Sequence, residues 1–116
     1  MTADLTPILD VAALERQTGG DVGLRREIVQ MFLEDCPQRI DAIGVALAQG
    51  DLTEVVSSSH ALKGSAAYMK ASIVRERAAD LETAAREGRP ADAAARLDEL
   101  RAAVGRLLPE LEKLIA

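Results

Sequence analysis

The chain has 116 residues, of which 48% are hydrophobic and only 2% aromatic, and its formal net charge is −5. This length and apolar content suffice for one domain with one core, which we expect to span residues 1–116. The acidic balance and the lack of stacking aromatics argue against nucleic acid and anionic membranes as partners. A single cysteine cannot form an internal disulfide, and no apolar segment is long enough to span a membrane. We therefore expect a cytoplasmic monomer.

The first two predicted helices are delimited by aspartates and glycines. Asp10 is a suitable N-cap for a short helix, which the Gly19-Gly20 pair ends. Asp21 can cap a second helix that runs to about Gln49. Pro37 lies inside this helix and removes a backbone donor, so we expect a kink or a break just before it. The apolar residues that recur on one side of this helix are Leu24, Ile28, Met31, Phe32, Ile40, Ile43 and Leu47.

Three further helices follow, each after a short loop. Asp51 and Glu54 form a candidate capping box for the third helix, which is expected to end near Lys70. Ser72 is a candidate N-cap for the fourth helix, and the fifth begins after Gly88. No long run alternates between polar and apolar residues, so strands are not expected. The sequence predicts an all-α fold, an antiparallel four-helix bundle with an additional short N-terminal helix.

The third helix carries the only histidine of the chain, His60. On a helical wheel it lies about 120° from the middle of the apolar arc that contains Leu62 and Ala66. Gly64, one turn later, leaves the ring uncovered because helical side chains lean toward the N-terminus. Glycine inside a helix costs about 1 kcal/mol relative to alanine, and access to the ring by another molecule would offset that cost. Lys63 projects within a turn of the ring, where its charge would attract anions.

Other kinds of chemistry are disfavoured by the residues available. One histidine and one cysteine are too few for the usual zinc sites, so no metal is expected on this chain. A hydrolase with Ser57 and His60 would need an orienting carboxylate and an oxyanion hole, and the sequence identifies neither. Taken alone, a single helical histidine is more often a surface residue than a reactive one. The acidic residues expected on solvent faces include Glu76, Asp80, Glu87, Asp98 and Glu99.

The segment His60-Ala61-Leu62-Lys63-Gly64-Ser65 resembles the signature of histidine-containing phosphotransfer (HPt) domains. These domains carry phosphoryl groups between the receiver domains of two-component phosphorelays. The resemblance extends to Met31-Phe32-Leu33-Glu34-Asp35, to the Gly50-Asp51 turn and to Ala78-Ala79-Asp80-Leu81-Glu82. It implies a four-helix bundle with a short N-terminal helix, which agrees with the predicted order of helices.

The resemblance also implies roles for individual residues. His60 would accept the phosphoryl group, Lys63 would stabilise its oxygens, and Gly64 would let the partner approach. The chain would be a phosphocarrier rather than an enzyme and would bind no cofactor itself, because the partner would supply the aspartate and Mg²⁺. The partners would be response-regulator receiver domains or a hybrid histidine kinase, and the direction of transfer stays open. The residues expected on the partner-binding face are Ser57, Ala61, Gly64, Ala67, Tyr68 and Lys70.

Three positions depart from the pattern of the family. Ala66 stands where a second small hydroxyl residue is common, but it points into the buried arc. Tyr68 stands where a small polar residue is common, and it either contacts the partner or shields the edge of the bundle. Lys70 replaces a frequent glycine, adds a cation near the end of the site and is expected to let the helix run further. Two other functions remain open: a docking module that regulates a receiver or kinase without carrying phosphate, and a hydrolase that uses His60 as a general base.

Overall fold

The computed structural model describes residues 6–116, so residues 1–5 of the expected domain lie outside the description. Within this range the chain forms five helices and no strand, which confirms the all-α prediction. The helices are α1 (Val11–Gln17), α2 (Val22–Ala48), α3 (Leu52–Tyr68), α4 (Ser72–Arg86) and α5 (Pro90–Leu114).

The first three helices begin where the aspartates predict. Asp10, Asp21 and Asp51 each accept a hydrogen bond from the backbone N–H three residues later. Each bond satisfies one of the donors that the first helical turn leaves free. The capping box at α3 is only half formed, because the Glu54 side chain accepts a hydrogen bond from Ser58 Oγ at 2.8 Å.

The prediction for the start of α4 is wrong by one residue. Ala71 is the N-cap, Ser72 is the first helical residue, and no side chain caps this end. The preceding turn already determines the position of Ala71, because its N–H is bonded to the carbonyl of Ala66. Local side-chain chemistry therefore does not set this boundary.

α2 runs through Pro37 without a break, which excludes one of the two alternatives for this helix. The core accommodates the surrounding turns, since Phe32, Ile40 and Ile43 are buried. The predicted apolar side of α2 is not all core, however. Leu24 is 39% exposed and Met31 is 59% exposed, so the first half of α2 presents apolar surface to solvent.

The loops after α2, α3 and α4 share one conformation. Gly50, Lys70 and Gly88 all have positive φ angles, of 72°, 62° and 71°. After α3, the Lys70 N–H donates to the carbonyl of Ala67, and the next N–H donates to the carbonyl of Ala66. These two bonds form a Schellman motif, which usually takes glycine at its left-handed position. Lysine there does not extend the helix, contrary to our expectation, because α3 ends two residues earlier.

Helices α2 to α5 form a ring in which each helix packs on its neighbours. α3 packs most extensively on α4, α4 packs on α5, and α2 closes the ring against α3 and α5. The short connections make successive helices antiparallel. α1 adds Leu14 to the common core, and Leu9 of the preceding segment is also buried there. The close pairing of α3 with α4 brings the side chains of the candidate site together.

Candidate functional site

His60 lies on the solvent-facing side of α3, as predicted. Its side chain is 67% exposed, whereas the neighbouring Leu62 and Ala66 are fully buried. Gly64 is also exposed, and a Cβ built there would meet no described atom within 4 Å. The imidazole is therefore accessible to another molecule from the side of Gly64.

One edge of the imidazole contacts a buried carboxylate on α4. The Nδ1 atom of His60 lies 3.1 Å from Oε2 of Glu82, whose side chain is only 8% exposed. Two cations hold the same carboxylate. Lys63 Nζ lies 2.7 Å from Oε1, and Arg86 Nη2 donates a hydrogen bond of 2.7 Å to Oε2. The four side chains form a cluster between two neighbouring helices.

Glu82 remains ionised in this cluster. Burial by itself would raise the pKa of the carboxyl group, but the ion pair with Lys63 and the hydrogen bonds from Arg86 and His60 outweigh it and lower the pKa to about 2. An ionised carboxylate only accepts hydrogen bonds, so Nδ1 of His60 must be the donor. The second nitrogen, Nε2, then carries the lone pair of the neutral ring.

Glu82 and Arg86 were not predicted as site residues from the sequence. The sequence identified no orienting carboxylate for His60, and Glu82 occupies that position in the structure. A signal did exist, since Glu82 lies four residues after Ala78 and one after Leu81, both of them buried. Glu82 therefore lies on the core-facing stripe of α4, a helix whose other sides are polar. A charged residue in such a stripe needs partners, and these come here partly from α3.

The residues of the expected partner-binding face do not all lie in one place. Ser57, Gly64 and Ala67 are exposed at helical spacing from His60, and Ala61 is half-buried. The remaining two residues, Tyr68 and Lys70, lie on two different surfaces.

A groove of about 280 Å³ lies between α2 and α3 on the side of Tyr68. The Tyr68 side chain is part of its wall and is 45% exposed, as is Met31 of α2 at 59%. Phe32 and Cys36 lie deeper in the same groove. Lys70 instead borders a separate cleft, which it shares with Asp10 before α1 and Arg75 of α4. The groove is thus an apolar surface next to the histidine stripe, the exposed row of Ser57, His60, Gly64 and Ala67 on α3. Lys70 lies outside the groove.

Cys36 is not a second reactive group. Burial raises the pKa of its thiol to about 11, with a smaller opposing effect from Arg39, so the reactive thiolate is scarce. Among residues 6–116, no three histidine, cysteine, aspartate or glutamate side chains are grouped so that they could hold a metal ion. Within the same range, no helix combines the length and the apolar character needed to cross a membrane.

Comparisons with known proteins identify the family and the fold. The family model described as "Hpt domain" matches residues 27–110, which is most of the chain. The fold is similar to the crystal structure of histidine-containing phosphotransfer protein B (HptB) from Pseudomonas aeruginosa PAO1. The TM-score is 0.87, the sequence identity is 21%, and the alignment covers 93% of this chain and 94% of that chain. No curated protein matches the chain in sequence. The match to the family model shows that the chain belongs to the Hpt domain family, the phosphocarrier intermediates of two-component systems.

Proposed function

We propose that His60 accepts a phosphoryl group from the aspartate of one response-regulator receiver domain and passes it to another. The observation that carries this proposal is an exposed imidazole whose Nδ1 contacts a buried, ionised Glu82. This contact leaves Nε2 with the lone pair, so Nε2 is the nucleophile. The open space at Gly64 gives the partner aspartate a line of approach.

The transfer step can be written with balanced charges. The Nε2 lone pair forms a bond to phosphorus, and the bond from phosphorus to the aspartyl oxygen breaks, so that the aspartate leaves as a carboxylate. The ring keeps its Nδ1 proton and becomes positively charged. Oε2 of Glu82, 3.1 Å from Nδ1, faces that proton and stabilises the new charge. The return step reverses this sequence, with the same carboxylate in place.

Lys63 has two roles in the proposed mechanism. In the resting state its ammonium group neutralises Glu82 at 2.7 Å. An ammonium group has three N–H donors, so donors remain for a phosphoryl oxygen. The side chain is one-third exposed, which permits contact with a group on His60. Phosphoryl transfer requires placement and charge neutralisation above all, and the Mg²⁺ that takes part would be held by the receiver domain.

The proposed docking surface extends from the histidine stripe to the groove between α2 and α3. Tyr68 lines the groove and directly follows Ala67 of the histidine stripe in α3, so the two surfaces adjoin. We propose that an apolar side chain of the receiver enters this groove, and that a monomer of this chain binds the partner in the cytoplasm. Replacing Tyr68 and Lys70 together should change the ranking of transfer rates among receivers. Because Lys70 lies outside the groove, Tyr68→Ala alone should account for most of the change.

Incubation with a phosphorylated receiver domain tests the main proposal. The chain should become labelled, and the label should be stable in alkali and labile in acid, as expected for phosphohistidine. His60→Gln should abolish labelling without loss of the fold, because the side chain is exposed. Labelling of His60→Gln would contradict the assignment. Full biological activity of this variant would instead favour a docking module that carries no phosphate.

A hydrolase remains the weaker alternative, although Glu82 supplies the orienting carboxylate that this hypothesis lacked. The family match favours a carrier. Sustained turnover of an ester or phosphate substrate by the isolated chain would reverse that order.

A further inference from the structure

In the proposed mechanism Arg86 acts only through Glu82, which it helps to keep ionised. It lies on α4, one helical turn after Glu82, and donates a hydrogen bond of 2.7 Å to Oε2 of that carboxylate. Oε2 is also the oxygen that faces Nδ1 of His60. The guanidinium and the imidazole therefore both contact Oε2 of Glu82, and Lys63 contacts the other oxygen, Oε1.

The guanidinium is well placed to contact a second ligand. Its side chain is 63% exposed, nearly twice the exposure of Lys63 at 33%. A guanidinium has five N–H donors in a planar fork, the geometry that matches phosphate oxygens. Among the described residues, one of these donors is used, on Glu82. Arg86 can hold the carboxylate and still offer donors to a group on His60.

The charges of the cluster favour such a contact. In the resting state one carboxylate faces two full cations, so the cluster has an excess positive charge. A phosphoryl group brings close to two negative charges, and the ring that carries it becomes cationic. With both Lys63 and Arg86 present, the charges of the phosphorylated cluster balance. Without Arg86, one negative charge would remain uncompensated.

We propose that Arg86 is a second phosphoryl-binding residue, which stays on Glu82 and donates hydrogen bonds to the phosphoryl oxygens on Nε2 of His60. This inference rests on the proposed function. It assigns to α4 a direct contact with the transferred group, in addition to the positioning of the histidine by Glu82. Removal of Arg86 should therefore weaken the phosphorylated state rather than the resting one.

The test uses phosphoramidate, a small donor that needs no partner protein. Nε2 attacks phosphorus, the P–N bond of phosphoramidate breaks, and ammonia leaves. At fixed phosphoramidate and ammonia, ³¹P NMR gives the ratio of phosphorylated to free chain. Arg86→Gln should lower this ratio about tenfold, the effect of losing one hydrogen bond between charged groups. Arg86→Lys should lower it less, because the charge is kept and the fork is lost.

A matched control removes an arginine elsewhere. Arg96 on α5 is partly exposed and pairs with Asp92 and Glu99, away from the cluster. Arg96→Gln should leave the ratio at the wild-type value. An unchanged ratio in Arg86→Gln would overturn the inference and leave the proposed function intact. If the wild-type chain accepts a phosphoryl group from neither phosphoramidate nor a phosphorylated receiver, the proposed function and the role of Arg86 are both contradicted.

A second measurement separates direct contact from an effect through Glu82. The ¹⁵N shifts of His60 in the unphosphorylated chain report which ring nitrogen carries the proton. In Arg86→Gln these shifts should stay at the wild-type values, because Lys63 still holds the carboxylate. In Glu82→Gln they should move. A lowered phosphorylation ratio in Arg86→Gln together with moved His60 shifts would make Arg86 a positioning residue and overturn the direct contact.

Discussion

Glu82 is a charged side chain in a nearly closed position, and its surroundings explain how it is tolerated. Three nitrogen atoms, from His60, Lys63 and Arg86, lie within 3.1 Å of its two oxygens. A buried charge without such partners would cost several kcal/mol. The partners keep the carboxylate ionised, and its ionisation in turn decides which nitrogen of His60 is free to react.

The stability of the chain at low pH should depend on the ionisation of Glu82. Its pKa is lowered from 4.5 to about 2, so its ionised form stabilises the fold above about pH 4.5, and this stabilisation is lost as the pH falls toward 2. In that window the free energy of unfolding of the wild-type chain should fall by about 2 to 3 kcal/mol more than that of Glu82→Gln. Urea unfolding at a series of pH values measures the difference.

Glu76→Gln is the control for this experiment, because Glu76 is exposed on the same helix. It should keep the wild-type dependence on pH. If Glu82→Gln also kept it, the carboxylate would not be the group that titrates.

Gly64 should show opposite effects on stability and on transfer. A Cβ at this position meets no described atom, so Gly64→Ala should stabilise the chain by about 1 kcal/mol through helix propensity. The larger Gly64→Gln should keep part of this gain, since the side chain points to solvent. It should also reduce the rate of transfer from a receiver, because it covers His60. Thermal unfolding and transfer rates measure the two effects.

Gly105 of α5 provides the comparison, because it is also helical and exposed with no described atom near its would-be Cβ. Gly105→Gln should leave the transfer rate unchanged. A transfer rate for Gly64→Gln equal to that of the wild-type chain would show that the space at Gly64 is not used by the partner.

At the scale of the helices, the left-handed position after α3 allows a prediction about stability. Lys70 has a φ of 62°, which costs a residue with a Cβ about 1 to 2 kcal/mol. Glycine removes that cost but loses more entropy on folding, so Lys70→Gly should stabilise the chain by about 0.5 to 1 kcal/mol. Denaturant unfolding measures the change. Gly88→Lys, at the same position after α4, should destabilise it, and a loss of stability in Lys70→Gly would contradict this account.

Helix boundaries were predictable from the sequence because caps are local. Asp10, Asp21 and Asp51 need only the N–H groups that follow them, and each caps its helix as predicted. The start of α4 was misplaced because the turn at Lys70 determines it from the preceding side. The role of Glu82 was not predictable in the same way, since its partner on α3 lies 22 residues earlier. Hydrophobic periodicity gives the orientation of each helix but not the pairs that form between helices.

At the scale of the whole molecule, α1 is an addition to the bundle that carries the site. The family match begins at residue 27, within α2, and leaves α1 outside. Leu14 of α1 is completely buried and packs in the common core. Leu14→Ala should therefore destabilise the chain by about 3 kcal/mol, the usual effect of removing a buried leucine. The rate of transfer at a temperature where the variant is folded should stay near the wild-type value.

Leu24→Ala is a suitable control, because Leu24 is an apolar residue that is 39% exposed. Its effect on the urea midpoint should be much smaller. A large loss of transfer in folded Leu14→Ala would mean that α1 contributes to partner binding.

The four side chains of the cluster belong to α3 and α4, whereas the apolar groove belongs to α2 and α3. In the proposed mechanism, the groups that make His60 reactive therefore lie on one side of it, and the surface proposed for docking lies on the other. If receivers dock on this surface as proposed, substitutions along α2 should redirect the chain to a different receiver while the reacting groups stay untouched. With the docking surface separate from the reacting groups, related carriers in one cell can share the same chemistry and still exchange phosphoryl groups with different receivers.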